Sequence, residues 1–392
     1  MNKNYQIILY GATGFTGKLC AEYFRENYPD LNWAIAGRNK NKLEALKSEL
    51  NLDCDIFVAD SDDYEAIKNF VKQTKVVLSA AGPFARYSTK VVEACVECKT
   101  HYTDITGENH WVKGLIDRFH EKAALDGTRI VPSCGYDSIP SDLGVYFSVT
   151  RSNQPVNHVT VYHSAKGGAS GGTTETMFTM GPLPKEMRDP FLLNPQDSVS
   201  DTQKRKSLDN FSVKPIPGTD AFSGMGLMAF ANTRVVRRSS ALFDLNQKSY
   251  GPDFTFKELG SYPSKAAARI TSFVLMSAFL VIATPLRYLV RPLLPKPGDG
   301  PDKEARDNGW FRGLFIAELE DGSEKRFEIY GSGDPGYKST SKMVCEAALT
   351  LAFSDDLPFG NEFGGVLTSA VGLGDPLISR LMKAGITFEA LS

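Results

Sequence analysis

The first half of the chain alternates short apolar runs with longer helix-like stretches. Apolar runs at residues 5–10, 33–36, 56–59, 76–79, 101–104 and 129–132 predict six strands. Helix-like stretches follow the first four runs, and a further helix is expected between the fifth and sixth. Because a strand, a crossover helix and a second strand form a parallel pair, this alternation predicts a doubly wound parallel sheet.

The pattern changes after Asp142. Residues 156–163 alternate as a strand does, and residues 314–319 and 325–330 predict a hairpin turned at Asp321-Gly322. Helices are expected near residues 341–353 and 376–384. We therefore expect an α/β protein with an N-terminal doubly wound domain at 1–142 and a second, α+β domain at 143–335. C-terminal helices at 336–392 are expected to return to the first domain.

A glycine-rich turn joins the first strand to the first helix. It consists of Gly11, Ala12, Thr13, Gly14, Phe15, Thr16 and Gly17. Glycines at such a turn let the backbone approach a pyrophosphate, and the helix N-terminus offers unpaired N–H groups and the positive end of its dipole. Because the pattern stands between a strand and a helix, it predicts the dinucleotide-binding turn of a Rossmann-type domain.

The end of the second strand indicates which dinucleotide is bound. The sequence there is Gly37-Arg38-Asn39-Lys40, with no acid before Glu44. A carboxylate at this place holds the ribose hydroxyls of NAD, whereas an arginine pairs with the 2′-phosphate of NADP. We therefore predict NADP(H), held in part by Arg38 and Asn39.

Three further positions are expected to line the cofactor. Asp60 ends the third strand and is predicted to lie near the adenine. Ala81, Gly82 and Pro83 follow the fourth strand, where small residues leave room for the cofactor.

Composition excludes several classes of protein. The 44 basic and 46 acidic residues give a net charge of -2, so no nucleic-acid partner is expected. The six cysteines are sparse and a strand-like run begins almost at once, which favours a reducing cytoplasm without a leader peptide. Cys95 and Cys98 form a C-x-x-C that we interpret as packing on a helix, because no second pair completes a metal site. No metal is expected.

Residues 132–142 are the main candidates for catalysis, because they follow the sixth strand at the edge where ligands bind in such folds. Tyr136 is a candidate proton donor, and Asp137 is a candidate for positioning the substrate or the nicotinamide amide. In an equally favoured alternative, Ser138 or Ser141 caps a helix beside Pro140 and Asp137 satisfies the same N-terminus. His101, Asp104 and Glu108 are expected to form a second polar cluster after the fifth strand.

Two Tyr-x-x-x-Lys pairs imitate the catalytic motif of short-chain dehydrogenases. Tyr64 and Lys68 come too early in the chain. Tyr162 and Lys166 fall on a predicted strand, where positions i and i+4 lie about 13 Å apart, so the lysine could not support the tyrosine.

Residues 270–286 contain no charged residue and are flanked by Lys265, Arg269, Arg287 and Arg291. Three interpretations stay open. The segment is a helix of the core or of a subunit interface, a helix lying on a membrane surface, or a transmembrane span at the lower limit of length.

Together these segments resemble the saccharopine dehydrogenase-like oxidoreductases, and most closely the branch of the trans-acting enoyl reductases of lipid biosynthesis. The resemblance rests on the segments already named and on residues 36–38, 81–84, 102–108, 134–142, 170–173, 232–239, 294–298 and 333–337. It implies a Rossmann domain, a second domain that often mediates dimerisation, and nicotinamide-dependent reduction.

The function predicted on this basis is NADPH-dependent reduction of an activated C=C or C=O in an acyl or polyketide-like substrate. The alternatives are an amino-acid dehydrogenase of the saccharopine type and a non-catalytic NADP(H)-binding protein associated with membranes. A homodimer and a peripheral membrane contact through residues 270–286 are also expected.

Overall fold

The fold consists of a parallel sheet wound with helices and a second, mixed sheet, which confirms the predicted fold class. The computed structural model describes residues 3–167, 188–209, 211–291 and 300–391. The motifs at residues 170–173 and 294–298 lie outside the described residues.

Within the described residues, the first sheet has seven parallel strands in the order β12-β6-β5-β4-β1-β2-β3, numbered along the chain. Its strands are β1 Tyr5–Tyr10, β2 Trp33–Gly37, β3 Asp55–Val58, β4 Thr74–Ser79, β5 His101–Asp104, β6 Arg129–Val131 and β12 Gly365–Val366. The helices between them are α1 Phe15–Asn27, α2 Lys40–Glu49, α3 Tyr64–Val71, α4 Phe84–Tyr87, α5 Thr89–Glu97 and α6 Asn109–Leu125. The strand order reverses between β1 and β4, and ligands bind outside the carboxyl ends of strands at such a switch point.

In the part of the chain that the structure describes, the second sheet has six strands in the order β13-β11-β10-β7-β9-β8. These are β7 Val156–Lys166, β8 Phe222–Gly224, β9 Thr255–Tyr262, β10 Trp310–Leu319, β11 Glu324–Ser332 and β13 Ile386–Leu391. The predicted hairpin is confirmed as the antiparallel pair β10–β11, while β7 and β9 run parallel.

The remaining helices are distributed around both sheets. They are α7 Ile139–Thr150, α8 Asp201–Lys206, α9 Ala229–Leu245, α10 Lys265–Ile282, α11 Arg287–Val290, α12 Lys303–Asp307, α13 Thr340–Phe353, α14 Ser369–Gly372 and α15 Gly374–Lys383, with a π-helical turn at Pro335–Ser339. The C-terminal segment contributes β12 to the first sheet and β13 to the second.

One continuous hydrophobic core joins the two sheets. It runs from Leu9 on β1 through Leu143 on α7 to Phe315 on β10, all buried. Polar ties across the same junction are buried too: Asp142 on α7 accepts hydrogen bonds from the Ser369 hydroxyl and the Ala370 N–H, both at 2.8 Å. Residues at the carboxyl edge of the first sheet are therefore held in a fixed relation to the second sheet.

The apolar segment at residues 270–286 does not belong to the core. Its helix is α10, which ends at Ile282 ahead of Pro285. Phe273 is 74% exposed and Leu280 is 63% exposed, so the interpretation as a core helix is wrong. The hydrophobicity of the segment indicated burial, but the folded chain leaves the Phe273 and Leu280 side chains exposed on its surface.

Candidate active site

The turn between β1 and α1 is shaped by glycines. Gly11 has a φ of +82°, and its N–H donates to the Ala36 carbonyl at 2.9 Å. A Cβ on Gly17 would lie 2.2 Å from the Gly11 oxygen, closer than atoms can approach. The backbone can therefore fold back on itself only with glycine at both positions.

The N-terminus of α1 fits an anionic group. Gly14 is the N-cap residue and brings no side-chain cap, and the first turn carries no acid. Its N–H groups and dipole are thus available to a pyrophosphate. Thr13 and Gly14 are exposed, whereas the Phe15 ring packs edge-on against Tyr337 with the centroids 5.1 Å apart.

The segment after β4 lies against the glycine turn, as expected for a switch point. A Cβ on Gly11 would lie 2.8 Å from the Ala81 nitrogen. Gly82 and Pro83 continue toward α4, where the Glu108 carboxylate accepts from the N–H groups of Phe84 at 2.8 Å and Ala85 at 3.0 Å. Glu108 therefore acts as a positioning residue for this side of the cleft.

Two guanidinium groups, Arg38 after β2 and Arg86 on α4, lie beside the ring of Tyr87. Arg38 is exposed, and its Cζ lies 5.9 Å from the centroid of the Tyr87 ring. Arg86 approaches the same ring at 5.2 Å. The two cations therefore lie close to one ring, and the sequence analysis missed Arg86 because it belongs to a different element, α4.

Two other predicted cofactor residues have local partners. The Asn39 side chain caps α2 by accepting from the Lys42 N–H at 3.0 Å. Asp60 is exposed at the end of β3 and accepts from the Asp62 N–H at 3.0 Å. Their positions at the ends of neighbouring strands agree with an adenine ribose site, and their contact with a cofactor stays a prediction.

The polar cluster expected after β5 does not assemble as predicted. His101 begins β5 and Asp104 ends it, so His101 lies at the opposite edge of the sheet. Asp104 accepts from the N–H groups of Thr106 and Ser133, both at 2.9 Å, and burial raises its pKa to about 7. It fastens the loop that carries Tyr136.

Tyr136 lies where β6 passes into α7. Its N–H donates to the Thr340 hydroxyl at 3.0 Å, and its ring packs against His163 and Phe311 with centroids 6.3 and 5.1 Å away. Burial raises the pKa of the Tyr136 hydroxyl well above its usual range, so this group keeps its proton at neutral pH.

Asp137 follows on the same loop. A Cβ on Gly107 would lie 3.9 Å from its Oδ2, which places the carboxyl between the ends of β5 and β6. Burial raises the pKa of Asp137 to about 6. Ser138 is the N-cap residue of α7, the position that the capping alternative expects, although its side chain makes no cap hydrogen bond. A role for Tyr136 and Asp137 in the reaction stays a prediction.

Behind Tyr136 lies a buried network that joins four segments of the chain. Ser141 Oγ lies 2.9 Å from His163 Nε2 and donates to Glu258 Oε2 at 2.7 Å. Asn232 Nδ2 donates to the other oxygen of Glu258 at 3.0 Å. The members come from α7, β7, α9 and β9.

Burial sets the protonation of this network. It raises the pKa of Glu258 to about 7 against the opposing effect of the hydrogen bonds from Ser141 and Asn232. It lowers the pKa of His163 to about 4, so the imidazole is neutral near pH 7. Glu258 is therefore partly protonated near neutrality, and a carboxyl of that kind suits acid–base work.

The sequence analysis missed His163, Asn232 and Glu258. Asn232 is the first residue of segment 232–239, one of the segments that resemble the family. The resemblance therefore drew attention to this position but did not indicate its role. His163 and Glu258 stand on strands as single polar positions, and nothing in their spacing connects them with Ser141.

Other candidate chemistry is not supported by geometry. Cys95 and Cys134 are buried free thiols, and burial raises the pKa of both. Tyr162 and Lys166 lie on β7, so the extended geometry expected for this pair is confirmed. The described part of the chain contains no group of side chains that could hold a metal ion.

Comparison with known proteins gives concordant results. The profile of the family described as "Saccharopine dehydrogenase NADP binding domain" matches residues 7–131. A Mycobacterium tuberculosis protein, provisionally named a trans-acting enoyl reductase, is 34% identical over 99% of this chain and 97% of its own. The trans-acting enoyl reductase of Mycobacterium ulcerans is 31% identical over 99% of this chain and 98% of its own.

Solved structures support the fold. Apo saccharopine dehydrogenase from Saccharomyces cerevisiae superposes with a TM-score of 0.54 at 14% identity, covering 99% of this chain and 100% of the other. The NAD complex of homospermidine synthase from Legionella pneumophila gives 0.56 at 8% identity, covering 100% and 92%. On the strength of the full-length relatives, the chain belongs to the saccharopine dehydrogenase-like oxidoreductases, in the group that includes the trans-acting enoyl reductases, and is an NAD(P)-dependent oxidoreductase.

Proposed function

We propose that this protein is an NADPH-dependent reductase that acts on an activated C=C or C=O of an acyl or polyketide-like lipid. The preference for NADPH rests on Arg38 and Arg86 beside Tyr87, because two cations, with no acid directly after β2, suit a 2′-phosphate. When bound, NADPH supplies the hydride.

The choice of substrate class rests on the charge of the candidate site. Its polar side chains are Tyr136, Asp137, Ser141, His163, Asn232 and Glu258. In the described part of the chain, the hydrogen bonds and ion pairs of Asp137 and Glu258 involve no lysine or arginine. An amino-acid substrate brings an α-carboxylate that needs a cation, whereas an acyl chain needs none. This observation carries the proposal and disfavours the amino-acid dehydrogenase.

The chain's own part in the reaction is to orient the substrate and to supply a proton. Tyr136 is the assigned donor, because its hydroxyl holds its proton at neutral pH and its ring is fixed by His163 and Phe311. Asp137 orients the substrate or the carboxamide of the cofactor. Glu258 is hydrogen-bonded to Ser141, which in turn contacts His163 beside Tyr136, and it can hold a second proton close to the Tyr136 hydroxyl.

Substrate panels test the proposal. NADPH oxidation is followed with enoyl thioesters of increasing chain length, with ketoacyl thioesters, and with amino acids paired with keto acids. We expect turnover with a thioester, and a decrease in kcat with unchanged NADPH affinity in Tyr136→Phe. Turnover of amino-acid substrates alone would overturn the proposal in favour of the saccharopine type. Tight NADPH binding without turnover in any panel would favour a non-catalytic protein.

Quaternary structure and location remain predictions. A homodimer is tested by analytical ultracentrifugation of the full chain, and a cytoplasmic location by fractionation of the cells that make it.

A further inference from the structure

Helix α10 leaves the body of the protein after its second turn. The buried residues of Lys265–Ile282 are Ala268 and Ser272, both near its start. Ser272 Oγ accepts from the Met225 N–H at 2.9 Å and so fixes the base of the helix. In the described part of the chain this helix alone is long and apolar enough to cross a membrane. The side chains of its outer turns, residues 273–282, are exposed or half-buried.

The exposed apolar side chains surround α10 on all sides. Ile270 and Phe279 are nine residues apart, which places them about 180° apart around the axis. Ile270 is 64% exposed and Phe279 is 38% exposed. A second copy of the chain would cover one face of the helix and leave the other wet. A hydrocarbon phase would cover both.

The charges around α10 suit an anionic membrane surface. Lys265 and Arg269 precede its apolar part, and Arg287 and Arg291 follow it. No acidic residue occurs between Glu258 and Asp299 in the sequence. Each cation is attracted to an anionic surface, and long basic side chains reach the headgroups while the helix lies deeper.

The two ends of this segment return to the same body, which argues against a full crossing. The base of α10 is held at Met225, and a Cβ on Gly300 would lie 2.4 Å from the Phe15 ring. A crossing would have to be followed by a second one, and that return would carry Arg287 and Arg291 through the hydrocarbon. Two charges at the bilayer centre are costly. A shallow insertion on one side avoids this cost.

The base of α10 also adjoins the candidate site. The Tyr262 hydroxyl donates to the Met225 carbonyl at 2.6 Å. Three residues further on, Met228 comes within 4.0 Å of a Cβ placed on Gly107, the position that also faces Asp137. Leu227 is 51% exposed between them. A short apolar path thus leads from the helix toward the end of β5.

We propose that α10 inserts into one leaflet of an anionic bilayer as a monotopic anchor. Resting on the proposed function, it follows that the reductase takes its acyl substrate from that leaflet along residues 225–228. The binding of membrane is independent of turnover, so the two proposals can fail separately.

Co-sedimentation with vesicles tests the anchor. Full-length protein is mixed with phosphatidylcholine vesicles, with or without phosphatidylglycerol, and compared with the double variant Phe273→Asp/Leu280→Asp. The matched control is Leu125→Asp, because Leu125 is an equally simple apolar residue at 88% exposure on α6. We expect anionic vesicles to retain wild type and the control, and the double variant to bind more than about tenfold more weakly.

Two outcomes would overturn the anchor. One is a wild-type protein that stays in the supernatant with anionic vesicles. The other is a wild-type dimer that the double variant dissociates without any binding of vesicles, since a second copy would then cover α10. NADPH affinity and turnover of a short, soluble enoyl thioester should be unchanged in the double variant. Loss of both NADPH affinity and turnover would show that the double variant is misfolded. In that case the single variant Phe273→Trp tests the insertion of α10 independently, because brominated lipids quench the tryptophan fluorescence only if the side chain enters the bilayer.

Discussion

The turn at residues 11–17 and the network around Glu258 differ in how the chain builds them. The turn is one contiguous segment that presents backbone N–H groups, and its glycines exist to remove side chains. The network is made of side chains from four separate segments, and burial gives Glu258 and His163 pKa values far from their ordinary ones. Binding of a phosphate can thus be encoded locally. Tuning of a proton site needs neighbours that only the folded chain supplies.

Replacing Gly17 by alanine should break the turn most severely. The new Cβ would stand 2.2 Å from the Gly11 oxygen, and the backbone would have to move. We expect a loss of about 3 kcal/mol in NADPH binding, or more than about 100-fold in Kd. Titration by fluorescence measures it. Gly114→Ala on α6 is the control, because an added Cβ there would meet no atom within 4 Å beyond its chain neighbours and the adjacent backbone of its own helix, and unchanged affinity is expected.

Glu258→Gln tests the network around Glu258 and is expected to change the rate of the reaction, whereas Gly17→Ala is expected to change cofactor binding. The amide keeps the volume and part of the hydrogen bonding to Ser141 and Asn232 but holds no exchangeable proton of the same pKa. We expect kcat to fall about 100-fold with NADPH affinity unchanged. Glu318→Gln at an exposed position of β10 is the matched control. Equal loss of cofactor affinity would show a structural role instead.

Arg38→Ala distinguishes binding of the pyrophosphate, which NADH and NADPH share, from binding of the 2′-phosphate, which only NADPH carries. The substitution leaves the turn at residues 11–17, which is predicted to bind the pyrophosphate, unaltered, so NADH affinity should not change. NADPH affinity should fall about tenfold, the value of one charge-assisted contact at an exposed site. Lys40→Ala, whose side chain pairs with Glu44 at 3.7 Å, serves as the control. Parallel loss for both cofactors would contradict a role in selecting NADP(H).

The smallest expected effect is a pH dependence of stability. Because burial raises the pKa of Glu258 to about 7, the folded state binds more protons than the unfolded state between about pH 4.5 and 7. Stability from this group is full below that window and is lost as the pH rises through it. Relative to Glu258→Gln, wild-type Tm should therefore decrease by roughly 1–3 °C from pH 5 to pH 7.5, measured by calorimetry. A difference that is flat or grows would contradict the raised pKa.

Most of the first domain could be predicted because its signals are short-range. The apolar run of β1, the glycines that follow it and the helix of α1 are neighbours in sequence, and their periodicity is read directly. The same holds for Arg38 at the end of β2. Arg86 could not be predicted as its companion, since only the winding of the sheet brings the end of β2 next to α4.

Residues 229–245 show the opposite case. Their composition is mixed and includes Arg234, Arg237 and Arg238, so no helix face was apparent, yet all three arginines are buried in α9. Arg238 donates to carbonyls of residues 193 and 366, and Asp209 pairs with the other two. Partners from distant segments make burial of these charges tolerable, and a local pattern carries no trace of them.

By itself the sequence determined the strand–helix alternation and the glycine turn, and it carried the prediction of NADP(H) from Arg38, because each depends on neighbouring residues. The tertiary structure alone decided that Ser141, His163, Asn232 and Glu258 meet, and that α10 stands outside the core. The hydrophobicity of a segment indicates that its side chains are more stable out of water. Only the fold determines whether they are buried within the chain itself or remain exposed for contact with another molecule or a membrane.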